Sequence, residues 1–313
     1  MNFYKGKKVL VTGGTGFCGR HVVQELLDQG VGVRVPIHHR SLVTGDERVT
    51  YFAADLTRER DCLELVQGVD YVFHFAGAVG NAGATPTDIM SAISTNLALT
   101  SKILYACWKQ GVERILLCGS STVYPAGEHP VKEYKASGWL PRGYLGYGEM
   151  HRYIEKLADF VAAESDLKIA RVRPTAVYGQ WDTSDHVIPS LIRKAVDKED
   201  PFEVWGNGQE TRDFLHVTDL ARGCLMVLER YAVNDPVNIG YGVSTRIEDV
   251  ANVILHAAGH QPTIQYMPKP TAIERREVNT EKALSLGFQP EVSLEKGLAD
   301  TLSWYKETQC VLV

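Results

Sequence analysis

The stretch Lys8-Val-Leu-Val-Thr-Gly-Gly-Thr-Gly-Phe-Cys-Gly19 opens on a β-branched run and ends in three spaced glycines, Gly13, Gly16 and Gly19. Placed directly after a predicted strand and before a predicted helix, each glycine meets a separate steric demand. Gly13 takes the tight turn, Gly16 lets backbone approach a pyrophosphate, and Gly19 lets the helix pack on the sheet. The helix N-terminus offers unpaired N–H groups and a partial positive charge to phosphates. The glycines alone would also suit a turn that binds nothing. The strand before and the helix after favour a dinucleotide site, with Gly13, Thr15, Gly16, Phe17 and Gly19 as its contacts.

Working outward, short apolar runs alternate with amphipathic helical patterns. Strands are expected at Lys8–Val11, Val31–Ile37, Val49–Ala53, Tyr71–Phe75, Arg114–Cys118 and Lys168–Arg173. Helices are expected at Phe17–Gln29, Arg58–Gln67, Ile89–Gln110 and Leu145–Glu164, the first three closed by Gly30, Gly68 and Gly111. The strands are apolar on both faces, as strands are when helices cover both sides of a parallel sheet. This predicts an α/β, Rossmann-type doubly wound parallel sheet. Beyond Pro174 the regularity fades. Helices are expected at Val187–Asp197, Asp219–Arg230, Ile247–Ala258 and Leu294–Glu307, a short strand at Val237–Ile239, and a hairpin around Gly206-Asn207-Gly208. Residues 1–175 are thus expected to bind the dinucleotide. Residues 176–313 form a smaller substrate lobe, with elements around 213–240 returning to the main sheet.

The bulk properties exclude several classes. The 313 residues are 44% hydrophobic and 23% charged, enough for a full core. A net charge of −5 leaves no footprint for nucleic acid or an anionic membrane. Cys18, Cys62, Cys107, Cys118, Cys224 and Cys310 lack C-x-x-C spacing, so reduced thiols are expected and no metal site. The only apolar run near the N-terminus, Val9–Val11, is cut by Thr12-Gly13-Gly14, and no stretch approaches membrane-spanning length. A cytoplasmic location is expected.

An NAD site normally places an acid at the end of the second strand, to hold the ribose hydroxyls. Here that region reads Val33-Arg-Val-Pro-Ile-His-His-Arg-Ser41, and the first acid is Asp46. Arg40, His38 or Arg34 would instead attract a 2′-phosphate. The pattern favours NADP(H) over NAD(H), with a solvated basic loop beside an NAD site as the alternative. Asp55 fits the adenine edge.

Motifs farther along carry a resemblance. Besides the glycine turn they are Asp55-Leu56, His74-Phe-Ala-Gly77, Asn96, Gly119-Ser-Ser-Thr-Val-Tyr-Pro125, Tyr147-Gly148, Arg173-Pro-Thr-Ala-Val-Tyr-Gly179 and Arg212-Asp-Phe-Leu-His-Val-Thr-Asp219. Together they resemble the extended short-chain dehydrogenase/reductases, the NAD-dependent epimerases, dehydratases and ketoreductases of nucleotide-sugars. His186-Val-Ile-Pro-Ser-Leu191, Val204-Trp-Gly-Asn-Gly208 and Ser293-Leu-Glu-Lys-Gly-Leu298 are similar to segments of the GDP-fucose synthase group.

The resemblance implies an enzyme, and it implies roles. Tyr147 is the acid/base, and Ser120 holds the substrate oxygen with help from Thr122. Asp55, Leu56, Phe75, Ala76, Gly77, Asn96, Tyr147, His151 and Pro174 contact the cofactor. Ser121, Trp205, Arg212 and Arg275 contact a nucleotide-sugar, the arginines through bidentate bonds to phosphate. His186 matches an acid/base histidine whose usual cysteine partner is here Thr122, which argues for reduction or simple epimerisation over double epimerisation. A homodimer is implied as well.

Two positions depart from the pattern. The family's lysine four residues after the tyrosine is His151, and a usual asparagine is Ala176. A lysine is cationic at every physiological pH and lowers a tyrosine's pKa, whereas a free histidine is charged only near or below about pH 6.5. Three readings stay open. His151 replaces the lysine with an altered pH profile, the reaction needs little tyrosine activation, or the chain is an NADP(H)-binding sensor or scaffold with reduced catalysis.

Overall fold

The computed structural model describes residues 3–38, 44–78, 85–268 and 273–311. Its strands and helices follow the predicted alternation. Strand β1 (Val9–Thr12) leads through the glycine turn into α1 (Phe17–Asp28), followed by β2 (Val33–Ile37), β3 (Val49–Ala53), α2 (Glu59–Val66) and β4 (Tyr71–His74). Next come α3 (Pro86–Lys109), β5 (Arg114–Cys118), a 3-10 turn at Ser121–Val123, α4 (Leu145–Glu164) and β6 (Lys168–Pro174). The remaining elements are β7 (Ala176–Tyr178), α5 (Val187–Val196), β8 (Phe202–Trp205), β9 (Thr211–His216), α6 (Val217–Arg230) and β10 (Pro236–Ile239). Then follow β11 (Ser244–Arg246), α7 (Ile247–Ala258), β12 (Ile264–Met267), β13 (Arg275–Arg276), α8 (Glu281–Ser285) and α9 (Leu294–Val311).

Among the described residues the main sheet has seven strands in the order β10-β6-β5-β4-β1-β2-β3. Every pairing in it is parallel. The order reverses direction at β1 and β4, the point where doubly wound sheets open a ligand crevice at the strands' carboxyl ends.

Alternation along each strand builds two cores. Val9, Val11, Tyr71, Phe73, Leu116, Ala170 and Val172 face α1 and α6. Leu10, Val72, Ile115, Leu117 and Ile169 face α2, α3 and α4. Successive side chains on a strand point to opposite faces, so both sets must be apolar. Each fully buried aliphatic contributes about 1.5–3 kcal/mol.

The later strands form a second layer. There β9 pairs antiparallel with β11 and parallel with β13 and β7, over a core supplied by α5, α7 and α9. The predicted hairpin at Gly206–Gly208 does not form. Strand β8 pairs in parallel with β12, and β9 joins a different sheet. The glycines do turn the chain, but Glu210 sits inside the bend, its carboxylate against Gly206 and accepting from Asn207 N (3.4 Å). The two strands therefore leave the turn toward separate layers.

Candidate active site

At the switch point, Gly13 has φ +68°, and a Cβ there would lie 2.6 Å from Ala76 N and from the Phe75 carbonyl carbon. No side chain fits between the glycine turn and the segment after β4. A Cβ on Gly19 would strike the Gly13 carbonyl oxygen. Gly16 is the N-cap of α1 and brings no side chain to the first-turn N–H groups, which stay available to an anion. This cradle fits a dinucleotide pyrophosphate. Thr15 and Phe17 stand at its rim, half-buried.

The rest of the crevice is braced from behind. Asn96 on α3 accepts from Ala78 N (2.6 Å) and donates to Ala78 O (2.9 Å), fixing the strand end that carries Phe75, Ala76 and Gly77. His74, buried, bonds Thr12 Oγ1 (2.7 Å) and Thr100 Oγ1 (3.1 Å) through its two ring nitrogens. Leu56 and Pro174 are buried at strand ends. Asp55 accepts from Thr57 N and Oγ1 (2.9 and 2.6 Å) and pairs with Arg58 (3.2 Å). The Thr57 bonds, then the neighbouring His38 and Arg58, hold its carboxyl below the usual range.

His38 is exposed at the end of β2, and Arg40 lies outside the described residues. Arg34 is not turned toward this loop. Its guanidinium donates to Leu65 O (2.5 Å) and Gln67 O (3.2 Å) at the end of α2 and covers the Phe52 ring. That arginine is withdrawn from the 2′-phosphate expectation, because the carboxyl end of a helix holds a cation favourably.

Helix α4 meets the turn after β5 at Gly148. A Cβ on Gly148 would lie 2.5 Å from Thr122 O and strike Leu140. The glycine therefore lets the backbone of α4, one residue after Tyr147, close on the turn that carries Ser120 and Thr122. Ser120 Oγ accepts from Thr122 N (3.1 Å) and from Thr122 Oγ1 (3.0 Å). With both acceptor positions used, its own hydroxyl proton is left for a further acceptor. Thr122 is committed to Ser120. Ser121, expected at the substrate, is buried.

His151 follows Tyr147 by one helical turn and is half-buried. Burial pushes its imidazole down to about 4, with the Glu155 carboxylate pulling the other way. The ring is therefore neutral across the physiological range and does not supply a lysine's constant charge.

The arginines sort differently from the sequence reading. Arg212 on β9 lies opposite Arg276 on β13, while Arg275 lies opposite Thr211. Opposed residues share a face and successive residues do not, so Arg212 is grouped with Arg276. Arg276 is buried, stacks over Tyr144 at 4.1 Å, and has an Nη2 without a hydrogen bond. Burial and the Arg212 charge lower its pKa. Arg275 is exposed and paired with Glu277 (2.6 Å), away from the face expected to hold phosphate. Arg212 donates to Thr211 O (2.7 Å) and Ile273 O (2.9 Å). The double arginine was visible in the sequence. Choosing between its members needed the register of β13. Trp205 and His186 are exposed, at the end of β8 and before α5.

Comparison with known proteins agrees with this fold. The model of the NAD dependent epimerase/dehydratase family matches residues 9–240. The chain is 30% identical to GDP-L-fucose synthase 1 of Arabidopsis thaliana, over 98% of this chain and 95% of that protein. Among solved structures it is similar to MoeE5 in complex with UDP-glucose and NAD, at 29% identity and a TM-score of 0.84, covering 96% of this chain and 99% of that one. A UDP-glucose 4-epimerase from Thermotoga maritima shares the fold at 24% identity and a TM-score of 0.86, covering 96% and 99%. With the glycine cradle, the tyrosine helix and the sheet order in place, the chain belongs to the NAD dependent epimerase/dehydratase family.

Proposed function

We infer that the chain moves a hydride at a sugar carbon of a nucleotide-linked sugar, as a 4-keto reductase or an epimerase. The observation that supports this is the close approach of Gly148, the residue after Tyr147, to Thr122 O in the turn that carries Ser120. When bound, the nicotinamide supplies the hydride chemistry. Tyr147 exchanges a proton with the sugar oxygen and Ser120 hydrogen-bonds that oxygen. Arg212 and Arg276 receive the diphosphate, Trp205 and His186 line the sugar nucleotide, and residues 1–175 hold the dinucleotide. NADP(H) is the preferred form, supported by the lack of an acid at the end of β2 and the presence of His38 there. Direct titration with NADPH and NADH measures it, and tighter NADH binding overturns it.

Tyr147→Phe is the central test. The variant should bind cofactor as the parent does, by fluorescence, and lose turnover by about 10²-fold or more. Full activity would refute the assignment. A second reading, a cofactor-binding sensor, is favoured by the neutral His151 and by Ala176. Its discriminator is the reduced-cofactor absorbance while 4-keto nucleotide-sugars are screened. Two copies are proposed to pair through α3 and α4, which expose Met90, Tyr105, Tyr153 and Phe160.

A further inference from the structure

The family's mechanism gives no work to the carboxylate one turn beyond His151. Tyr147, His151 and Glu155 stand at i, i+4 and i+8 on α4, so each overlies the next, with about 5–6 Å between neighbouring Cβ atoms. Glu155 is mostly buried, and both its oxygens are taken. Arg173 on β6 donates to Oε1 from Nε (2.7 Å) and to Oε2 from Nη2 (2.6 Å). Arg173 also donates to Tyr124 Oη (2.8 Å) and Glu133 O (2.7 Å). Tyr124 donates to Asn238 Oδ1 (2.5 Å), whose amide reaches Val131 O and Asn279 O (3.1 Å each). A Cβ on Gly119 would lie 3.9 Å from Glu155 Oε1, so the carboxylate lies against the turn that carries Ser120. The network thus runs from beneath His151 and Ser120 to a residue three positions from Arg276.

We propose that Glu155, clamped by Arg173 one helical turn from His151, is a positioning residue that tunes the imidazole beside Tyr147. Among the described residues, the titratable and charged groups tied to this network include Tyr147 and Glu155 on α4, Arg173 on β6, Tyr124 after the Ser121–Val123 turn, and Glu133, whose charge acts on Tyr124. Of these, Glu155 is the one whose charge acts on His151. Burial is what lowers the imidazole, and the Glu155 carboxylate opposes it. The Arg173 guanidinium against both carboxylate oxygens offsets part of that opposition, and loosening the clamp strengthens it. Where relatives of this family have a lysine of fixed charge, this chain has a charge that depends on a neighbouring ion pair. The inference rests on Tyr147 being the acid/base, but its test does not.

The test is an NMR titration of the histidine ring carbons in the full chain without cofactor, with His151 assigned from the signal lost in His151→Asn. In the parent chain His151 should titrate below the ordinary histidine range. In Glu155→Gln, which keeps the side chain's shape, its midpoint should fall further, by about half a unit or more. In Arg173→Lys, which keeps a charge but breaks the two-pronged grip, the midpoint should rise. An unchanged midpoint in a folded Glu155→Gln chain overturns the proposal, as does an upward shift. Arg173 is buried and its variant risks misfolding, so Glu155→Gln alone decides the matter. In turnover assays, the pH profile of kcat should move with the same substitution, and in a His151→Lys background it should not. A parent chain that turns over no sugar nucleotide would sink the enzymatic reading and leave the NMR result standing.

Discussion

At the scale of single residues, chemistry is set by which partner each polar atom already has. Ser120 accepts twice from Thr122, which leaves its own proton for another acceptor. His151, half-buried, has its imidazole pushed down to about 4 by loss of solvent around the ring. Arg276 has a donor to spare, whereas Arg275 is spent on Glu277. Arg276→Lys should therefore raise KM for a nucleotide-sugar by about 10–100-fold, the worth of a charge-assisted bond or two, and leave cofactor affinity unchanged. Arg275→Ala should change KM less than about threefold, as a surface ion pair would. Equal effects in steady-state kinetics would reverse the assignment of the two. His151→Lys should raise activity above neutral pH, since a lysine stays charged where the imidazole does not. An unaltered pH profile would remove His151 from tuning Tyr147.

At the scale of elements, the active site depends on close approaches that only glycine permits. Gly148→Ala would press a methyl group against Thr122 O and Leu140, forcing α4 off the serine turn. The expected cost is about 1–3 kcal/mol of stability in a denaturant titration. With it should come a loss of kcat larger than any change in cofactor binding, and normal kcat in the variant would show the approach to be unimportant. The sequence located these elements well. The helix at Leu145–Glu164 has the predicted ends, and α1, α2 and α3 each stop two residues before Gly30, Gly68 and Gly111. Apolar periodicity and helix stop signals are local and survive without tertiary context. The misread hairpin shows the limit. Gly206 and Gly208 bend the chain as such residues do, but β8 pairs with β12, some 60 residues farther on, and β9 with β7, β11 and β13, none of them its neighbour across the turn.

At the scale of the molecule, the buried histidines make stability depend on pH. His74 is held down to about 4 by burial, as is His151, while a free histidine titrates at 6.5. The unfolded chain takes up these protons below pH 6.5 and the folded chain does not, so acid draws the equilibrium toward unfolding. The stability is complete above pH 6.5 and is lost as pH falls toward 4, by about 3 kcal/mol for His74 alone. Tm should decline over that interval, and less steeply in His74→Gln. A flat profile would contradict the buried, neutral state. The exposed face of α3 and α4 makes a second prediction. Phe160→Glu should shift the proposed dimer to monomer in light scattering after gel filtration, and a parent chain already monomeric at micromolar concentration would end that proposal.

The amino-acid sequence alone determined the alternating strands and helices, the phosphate cradle and the stripe of α4 that presents Tyr147. Each of these follows from spacing along the chain, namely period two, period 3.6, or a glycine at a fixed offset. Tertiary structure decided that Arg276 rather than Arg275 joins Arg212, that Arg34 caps α2, that His151 is neutral, and that Glu155 is shared with Arg173. These depend on register between distant strands and on exclusion of water. Both arise only when segments far apart in sequence are pressed together.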